Sequence, residues 1–242
     1  MLTVHHLNNS RSQRVLWLLE ELGVDYELQR YQRDAKTMLA PPELVRVHPL
    51  GKSPVVTDDG ITVAESGAIM EYLLETYGAG RLVPPPGTEA RRRFTYWLHF
   101  AEGSAMAPLL MKLVFDRIET SPMPFFARPI ARGISRKVKT AMVEPNLKRH
   151  LDHMERELTK SEWFAGNEFT AADIQMSFPV EASAQRAGLD ASRPKLMTYL
   201  KKIHARPAFR RALERGGPYS FANDCEQCVR VAAEDLKRLR QR

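Results

Sequence analysis

Leu7-Asn8-Asn9-Ser10-Arg11-Ser12-Gln13-Arg14-Val15 is the stretch from which the fold can be read. Ahead of it, residues 2–7 form a short apolar run that reads as a strand. Behind it, Val15, Leu18, Leu19 and Leu22 fall at i, i+3, i+4 and i+7, the apolar stripe of a helix, and Gly23 supplies the stop. Two Asn and two Ser lie between strand and helix, residue types that cap helix N-termini. The first N–H groups of a helix have no intrahelical partner, and the macrodipole adds roughly half a positive charge there. A strand, a polar loop and a helix start therefore make a place to hold an anion. The plainer alternative is that Ser10 or Ser12 only caps its own helix, and the rest of the chain has to decide.

Outward from this stretch, residues 26–31 alternate like a second strand. Two strands around a helix predict a βαβ unit with a parallel pair and a right-handed crossover. Residues 35–47 are broken by Pro41-Pro42 and are expected to be irregular or only partly helical. Residues 53–57 and 61–64 flank Asp58-Asp59-Gly60, a hairpin signal. Glu65-Ser66-Gly67 then opens a helix to Tyr77, with Ile69, Tyr72 and Leu73 on its apolar face. The order βαβ then ββα predicts a thioredoxin-like α/β domain over residues 1–80.

Pro84-Pro85-Pro86 cannot lie inside a helix and makes 81–88 a stiff linker. Beyond it only helical patterns appear: 89–115, 137–158, 170–187 and 196–206, with Pro122, Pro124 and Pro129 as interruptions. No strand is expected after Ala64. The fold class is thus α/β + all-α, with an all-helical C-terminal domain over 89–218 and a charged tail over 219–242.

The chain has 242 residues with ordinary globular composition, enough for one large or two small domains. No apolar run approaches the roughly 18–20 residues of a membrane helix, and no secretory signal is expected at Met1. Cys225 and Cys228 are the only cysteines, so no disulfide framework holds the fold, and a reducing cytoplasm is the expected compartment. The CxxC they form lacks the two further ligands of a zinc site, and no metal is expected. His150 and His153 read as structural. The net charge of +7 gathers in Arg91-Arg92-Arg93, around Arg128 to Lys139 and near the C-terminus. These stretches lack interleaved aromatics, so a nucleic-acid partner is not expected, although a positive field attracts small anions.

Three further motifs follow the first in order: Pro49-Leu50-Gly51-Lys52-Ser53-Pro54-Val55-Val56, then Glu65-Ser66, then Asn167-Glu168-Phe169-Thr170-Ala171-Ala172-Asp173. In these the chain resembles the glutathione transferase superfamily up to about Pro218. The resemblance implies a cis Ser53-Pro54 bond, with the Ser53 main chain pairing the cysteinyl backbone of glutathione. It implies Lys52 for the glycyl carboxylate, Glu65 near the γ-glutamyl ammonium, and Ser66 for the γ-glutamyl carboxylate. Thr170 and Asp173 read as a capping box that serves folding, not catalysis. The sulfur would end at the opening loop, where a donor and the helix start favour thiolate over thiol.

Aligned on Ser12-Gln13-Arg14-Val15, the family's usual Ser or Cys position falls on Asn9. Ser10 is the expected sulfur donor, with Asn9 next and Arg11 third. The expected reaction is conjugation of glutathione to a small hydrophobic electrophile, without a metal. A glutathione-dependent peroxidase or disulfide reductase, or a non-catalytic binding protein, is the alternative. The electrophile is expected against the helix after residue 89, at Tyr96, Phe100, Met106, Leu110 and Phe115, with Glu102 near glutathione or the subunit boundary. The resemblance also implies a homodimer.

Overall fold

Strand β1 (Thr3–Leu7) is central to the sheet because its residues are buried on both faces. In the computed structural model, which describes residues 1–34, 37 and 39–222, the strand order is β2-β1-β3-β4. β1 runs parallel to β2 (Glu27–Tyr31) and antiparallel to β3 (Val55–Asp58). β3 in turn pairs antiparallel with β4 (Ile61–Ala64). Val4 stands opposite Leu28 on one side and Val56 on the other, and Val56 faces Val63. Asp59 and Gly60 turn the hairpin with φ of 44° and 87°, the paired positive values of a two-residue turn that matches strand twist.

Helix α1 (Ser12–Leu22) follows β1 and ends where Gly23, at φ 64°, donates its N–H to the Leu19 carbonyl. Within the stretch expected to be irregular, α2 (Pro42–Val47) forms directly at the second proline. A proline at the first helical position gives up only a donor that would have no partner there. The same device starts two helices absent from the sequence reading, α6 (Arg128–Val138) and α10 (Pro207–Gly216). Pro129, which read as an interruption, stands at a helix start, whereas Pro122 and Pro124 do lie between helices. α3 (Ser66–Tyr77) completes the first part of the chain.

The C-terminal part is helical throughout the described residues. The stretch predicted as one helix from Glu89 is α4 (Glu89–Phe100), a π-helical turn (Ala101–Ala105) and α5 (Met106–Thr120). A second π-helical turn (Lys139–Val143) joins α6 to α7 (Glu144–Lys160), followed by α8 (Ala171–Arg186) and α9 (Pro194–Ala205). Residues 171–183 of α8 are all buried, which marks a central helix rather than a surface one. Trp17 of α1 packs edge-on against Phe209 of α10, with ring centroids 5.1 Å apart. Gly216 permits that approach: a Cβ there would lie 2.6 Å from Gln13 Oε1 and 3.0 Å from Leu16 Cδ1. The tail pattern at Val231, Leu236 and Leu239, and the Cys225–Cys228 pair, lie outside the described residues.

Candidate active site

The loop between β1 and α1 is organised by a chain of hydroxyls ending on a buried histidine. Burial, followed by the charge of Arg30, pushes the His6 ring down to about 4 against a hydrogen bond to the Gly216 backbone. The ring is therefore neutral near pH 7, with one donor and one acceptor. Ser12 Oγ lies 2.9 Å from His6 Nδ1 and 2.7 Å from Ser10 Oγ, and also reaches the Leu7 carbonyl at 3.4 Å. Ser10 Oγ also accepts from the N–H of Ser12, the first residue of α1, at 3.2 Å. At 4% exposure, the Ser10 hydroxyl is buried in this network.

Asn9 has φ 50°, a left-handed backbone that Asn tolerates better than most residues. Its Oδ1 accepts from the Ser220 N–H at 2.8 Å and the Ser220 hydroxyl at 3.0 Å. The first loop is thereby tied to the segment after α10, and the Nδ2 donors of Asn9 are left for another partner.

Behind the loop, Arg14 is 1% exposed. Its guanidinium donates to Gln175 O at 2.6 Å, to Ser66 Oγ at 3.2 Å and to Glu102 Oε1. Arg11 pairs with the other Glu102 oxygen at 3.2 Å. Burial raises the Glu102 carboxyl pKa, but Arg14 and Arg11 outweigh it and hold the group below its usual range. Because Ser66 accepts from Arg14, its own hydroxyl proton is free to donate outward. Glu65, at the start of α3, has φ 73°, a strained conformation of the kind concentrated at binding sites. Its charge acts favourably on Arg11.

The Ser53–Pro54 bond is cis. The Ser53 side chain is used internally, donating to His5 O at 2.9 Å and accepting from Leu7 N–H at 3.2 Å. Asn9, Ser10, Arg11 and Ser53 line one cleft of about 450 Å³. Its opposite wall is Met106, Leu109, Leu110 and Leu113 of α5 with Phe178 of α8. Pro54 is buried, and Lys52 beside Ser53 is exposed.

Of the residues anticipated for the electrophile, Met106 and Leu110 are in this wall. Tyr96 and Phe100 are on the other side of the helix. The Tyr96 hydroxyl contacts His153 Nε2 at 3.0 Å, and Phe100 packs against His150 and His153. Phe115 is half-buried against the core. The π-helical turn accounts for the split: one extra residue rotates everything after it by about 100° relative to a continuous 3.6-residue helix. The same turn carries Glu102. Sequence reading missed Arg14, His6, Phe178 and the Ser220-Phe221 rim, whose roles arise from contacts over long sequence separations. The one available signal was Pro179, which announces an orphaned Gln175 carbonyl one turn earlier.

Residues 1–75 match the family model for the glutathione S-transferase N-terminal domain, and residues 115–207 the one for the glutathione S-transferase C-terminal domain. Glutathione S-transferase 3 of Schizosaccharomyces pombe is 39% identical, over 89% of this chain and 88% of its own. The chain belongs to the glutathione S-transferase family. Within that family, glutathione S-transferase 1 of Saccharomyces cerevisiae is 31% identical, over 89% of this chain and 95% of the relative. A glutathione S-transferase crystal structure from Actinobacillus pleuropneumoniae superposes with a TM-score of 0.73 at 31% identity, covering 89% of this chain and 93% of that one. A glutathione transferase from Phanerochaete chrysosporium, solved in complex with oxidized glutathione, gives 0.68 at 26% identity, covering 89% and 96%. Among the described residues, no group of three or more His, Cys, Asp or Glu is placed to hold a metal, and no helix is long and apolar enough to cross a membrane.

Proposed function

We propose that this transferase binds glutathione across the start of α1, the Ser53–Pro54 turn and the start of α3, and conjugates it to an electrophile held against α5. The observation that carries this reading is the shared cleft: Asn9 and Ser53 face the apolar wall of Met106 and Leu110. Ser53 acts through its main chain, since its hydroxyl is already engaged with β1. Ser66 and the α3 N-terminus take the γ-glutamyl carboxylate, Glu65 the ammonium, and Lys52 the glycyl carboxylate. The thiolate attacks an electrophilic carbon, a carbon–sulfur bond forms, and the leaving group departs with its electron pair.

Asn9 is the sulfur donor in this scheme. For Ser10 to reach the sulfur, its buried hydroxyl would have to give up its contact with Ser12 Oγ. Asn9 Nδ2 needs no such rearrangement. A hydrogen bond to a charged group contributes about 1.5–3 kcal/mol, or roughly one to two pKa units at the thiol. Asn9→Ala should therefore raise the pKa of bound glutathione, followed by thiolate absorbance in the ultraviolet, and lower kcat/KM at least tenfold. Ser10→Ala should change the thiol pKa less. Equal thiol pKa values in the wild type and Asn9→Ala would refute the assignment.

The reading includes a homodimer. Phe125, Phe126, Ile130 and Ile134 are exposed on and beside α6, an apolar surface that a second copy of the chain would cover. Sedimentation at micromolar concentration should give a species of twice 27.6 kDa, and a single 27.6 kDa species rejects the dimer.

A further inference from the structure

The cleft wall that faces the loop is apolar, but its rim is not. Arg33, after β2, Arg117, on α5, and Arg186, at the end of α8, line the same space as Asn9 and Leu110. No Asp or Glu is among the described residues that line it. Glu102, on the π-helical turn before α5, is already held by Arg11 and Arg14. Among the described residues, Arg117 and Arg186 enter no ion pair, and Arg186 stands over the Phe221 ring at 5.0 Å. These arginines also feel one another. Burial, then the charges of Arg11 and Arg117, holds the Arg33 guanidinium below its ordinary range, and burial, then Arg117, does the same for Arg186.

Cations that converge on a half-enclosed apolar space, without an acid between them, favour a ligand that brings its own negative charge. The planar guanidinium is the side chain best matched to a carboxylate. We propose that the electrophile taken by this cleft is an amphipathic organic anion, with an apolar body against Leu109, Leu113 and Phe178 and a carboxylate toward Arg117 and Arg186. The proposal rests on reading the cleft as the electrophile site and names the class of molecule that site selects. The reaction is unchanged by the carboxylate. With 4-chloro-3-nitrobenzoate, the glutathione sulfur bonds to the ring carbon that carries chlorine, and chloride leaves with the carbon–chlorine electron pair.

The test separates binding from turnover. Affinities of unreactive 3-nitrobenzoate and its methyl ester are measured by calorimetry on the full chain saturated with S-methylglutathione. The wild type should prefer the acid at least tenfold. Arg117→Gln with Arg186→Gln should lower that ratio at least fivefold, whereas Arg117→Lys with Arg186→Lys should keep most of it. Arg132→Gln, on α6 and outside the cleft, should leave the ratio unchanged. Equal wild-type affinities for acid and ester overturn the proposal without recourse to any variant, as does a ratio that survives the double glutamine substitution. Chloride release from 4-chloro-3-nitrobenzoate is scored separately. Its absence alongside an intact binding preference removes the transferase reading and leaves the anion site standing.

Discussion

Asp173→Ala should destabilise the protein by about 4 kcal/mol, the sum of a lost helix cap and donors stranded in the core. Asp173 is fully buried at the third position of α8. Its Oδ2 accepts from the Thr170 N–H at 2.9 Å and the Thr170 hydroxyl at 3.0 Å. Its Oδ1 accepts from the Phe164 N–H at 2.8 Å. Alanine leaves three donors without an acceptor in a place water does not reach. One of them, on Phe164, belongs to the turn that seats its ring 4.6 Å from Trp97 and 5.0 Å from Tyr199. Melting should fall by roughly 8–16 °C for a chain of this size. Asp173→Asn keeps one acceptor and should lose roughly half as much. Burial pushes the Asp173 carboxyl up to about 6, against the three donors, from an ordinary value of 3.8. The folded state thus holds this proton more tightly than the unfolded state. The group's contribution is fully present below pH 4 and is lost as pH rises through 6. Denaturant titrations of the wild type and Asp173→Asn should therefore show the wild-type advantage shrinking between pH 4 and 6 and level above it.

How much of this was legible depended on the range of the interaction that decides each element. The strand, loop and helix around residues 7–15 were readable because caps, apolar periodicity and Gly23 all act within a few residues. The hairpin at Asp59-Gly60 was readable for the same reason. Pro129 misled because a proline inside a helix and a proline that starts one are the same residue, and only the backbone around it distinguishes the two. The turn at Ala101–Ala105 left no periodic signal, and that one-residue offset moved Tyr96 and Phe100 to the far side of the helix from Met106 and Leu110. Arg117 and Arg186 look like ordinary surface charges in sequence, since their convergence requires α5 and α8 to be packed first. Glu102 was suggested as a residue near glutathione, but its partner Arg14 passed as part of a helix motif.

Arg14→Met should destabilise the fold by about 3 kcal/mol, the low end of the range for breaking a buried charge pair because Glu102 is 31% exposed, and weaken glutathione binding as well. The helix α8 contains Pro179, which has no N–H to give the carbonyl four residues earlier. That carbonyl belongs to Gln175, and Arg14 Nη1 supplies the missing donor at 2.6 Å. The proline's cost to the central helix is thus offset from α1. The same guanidinium lies 5.4 Å from the Phe178 ring centroid and donates to Glu102 and Ser66. Methionine fills much of the volume but leaves the Gln175 carbonyl bare and Glu102 with Arg11 alone. Lysine restores charge at one point and cannot serve three acceptors with a fixed fork, so Arg14→Lys should recover less than half the loss. Part of the cost is the carboxylate's loss of one of its two arginines. Adding Glu102→Gln to Arg14→Met should therefore return 1–2 kcal/mol, and a double-mutant cycle in guanidinium measures it. Glutathione affinity should not return with it. The Ser66 hydroxyl would still lack the donor that turns its proton outward, so calorimetry on the double variant separates what Arg14 does for the fold from what it does for the ligand.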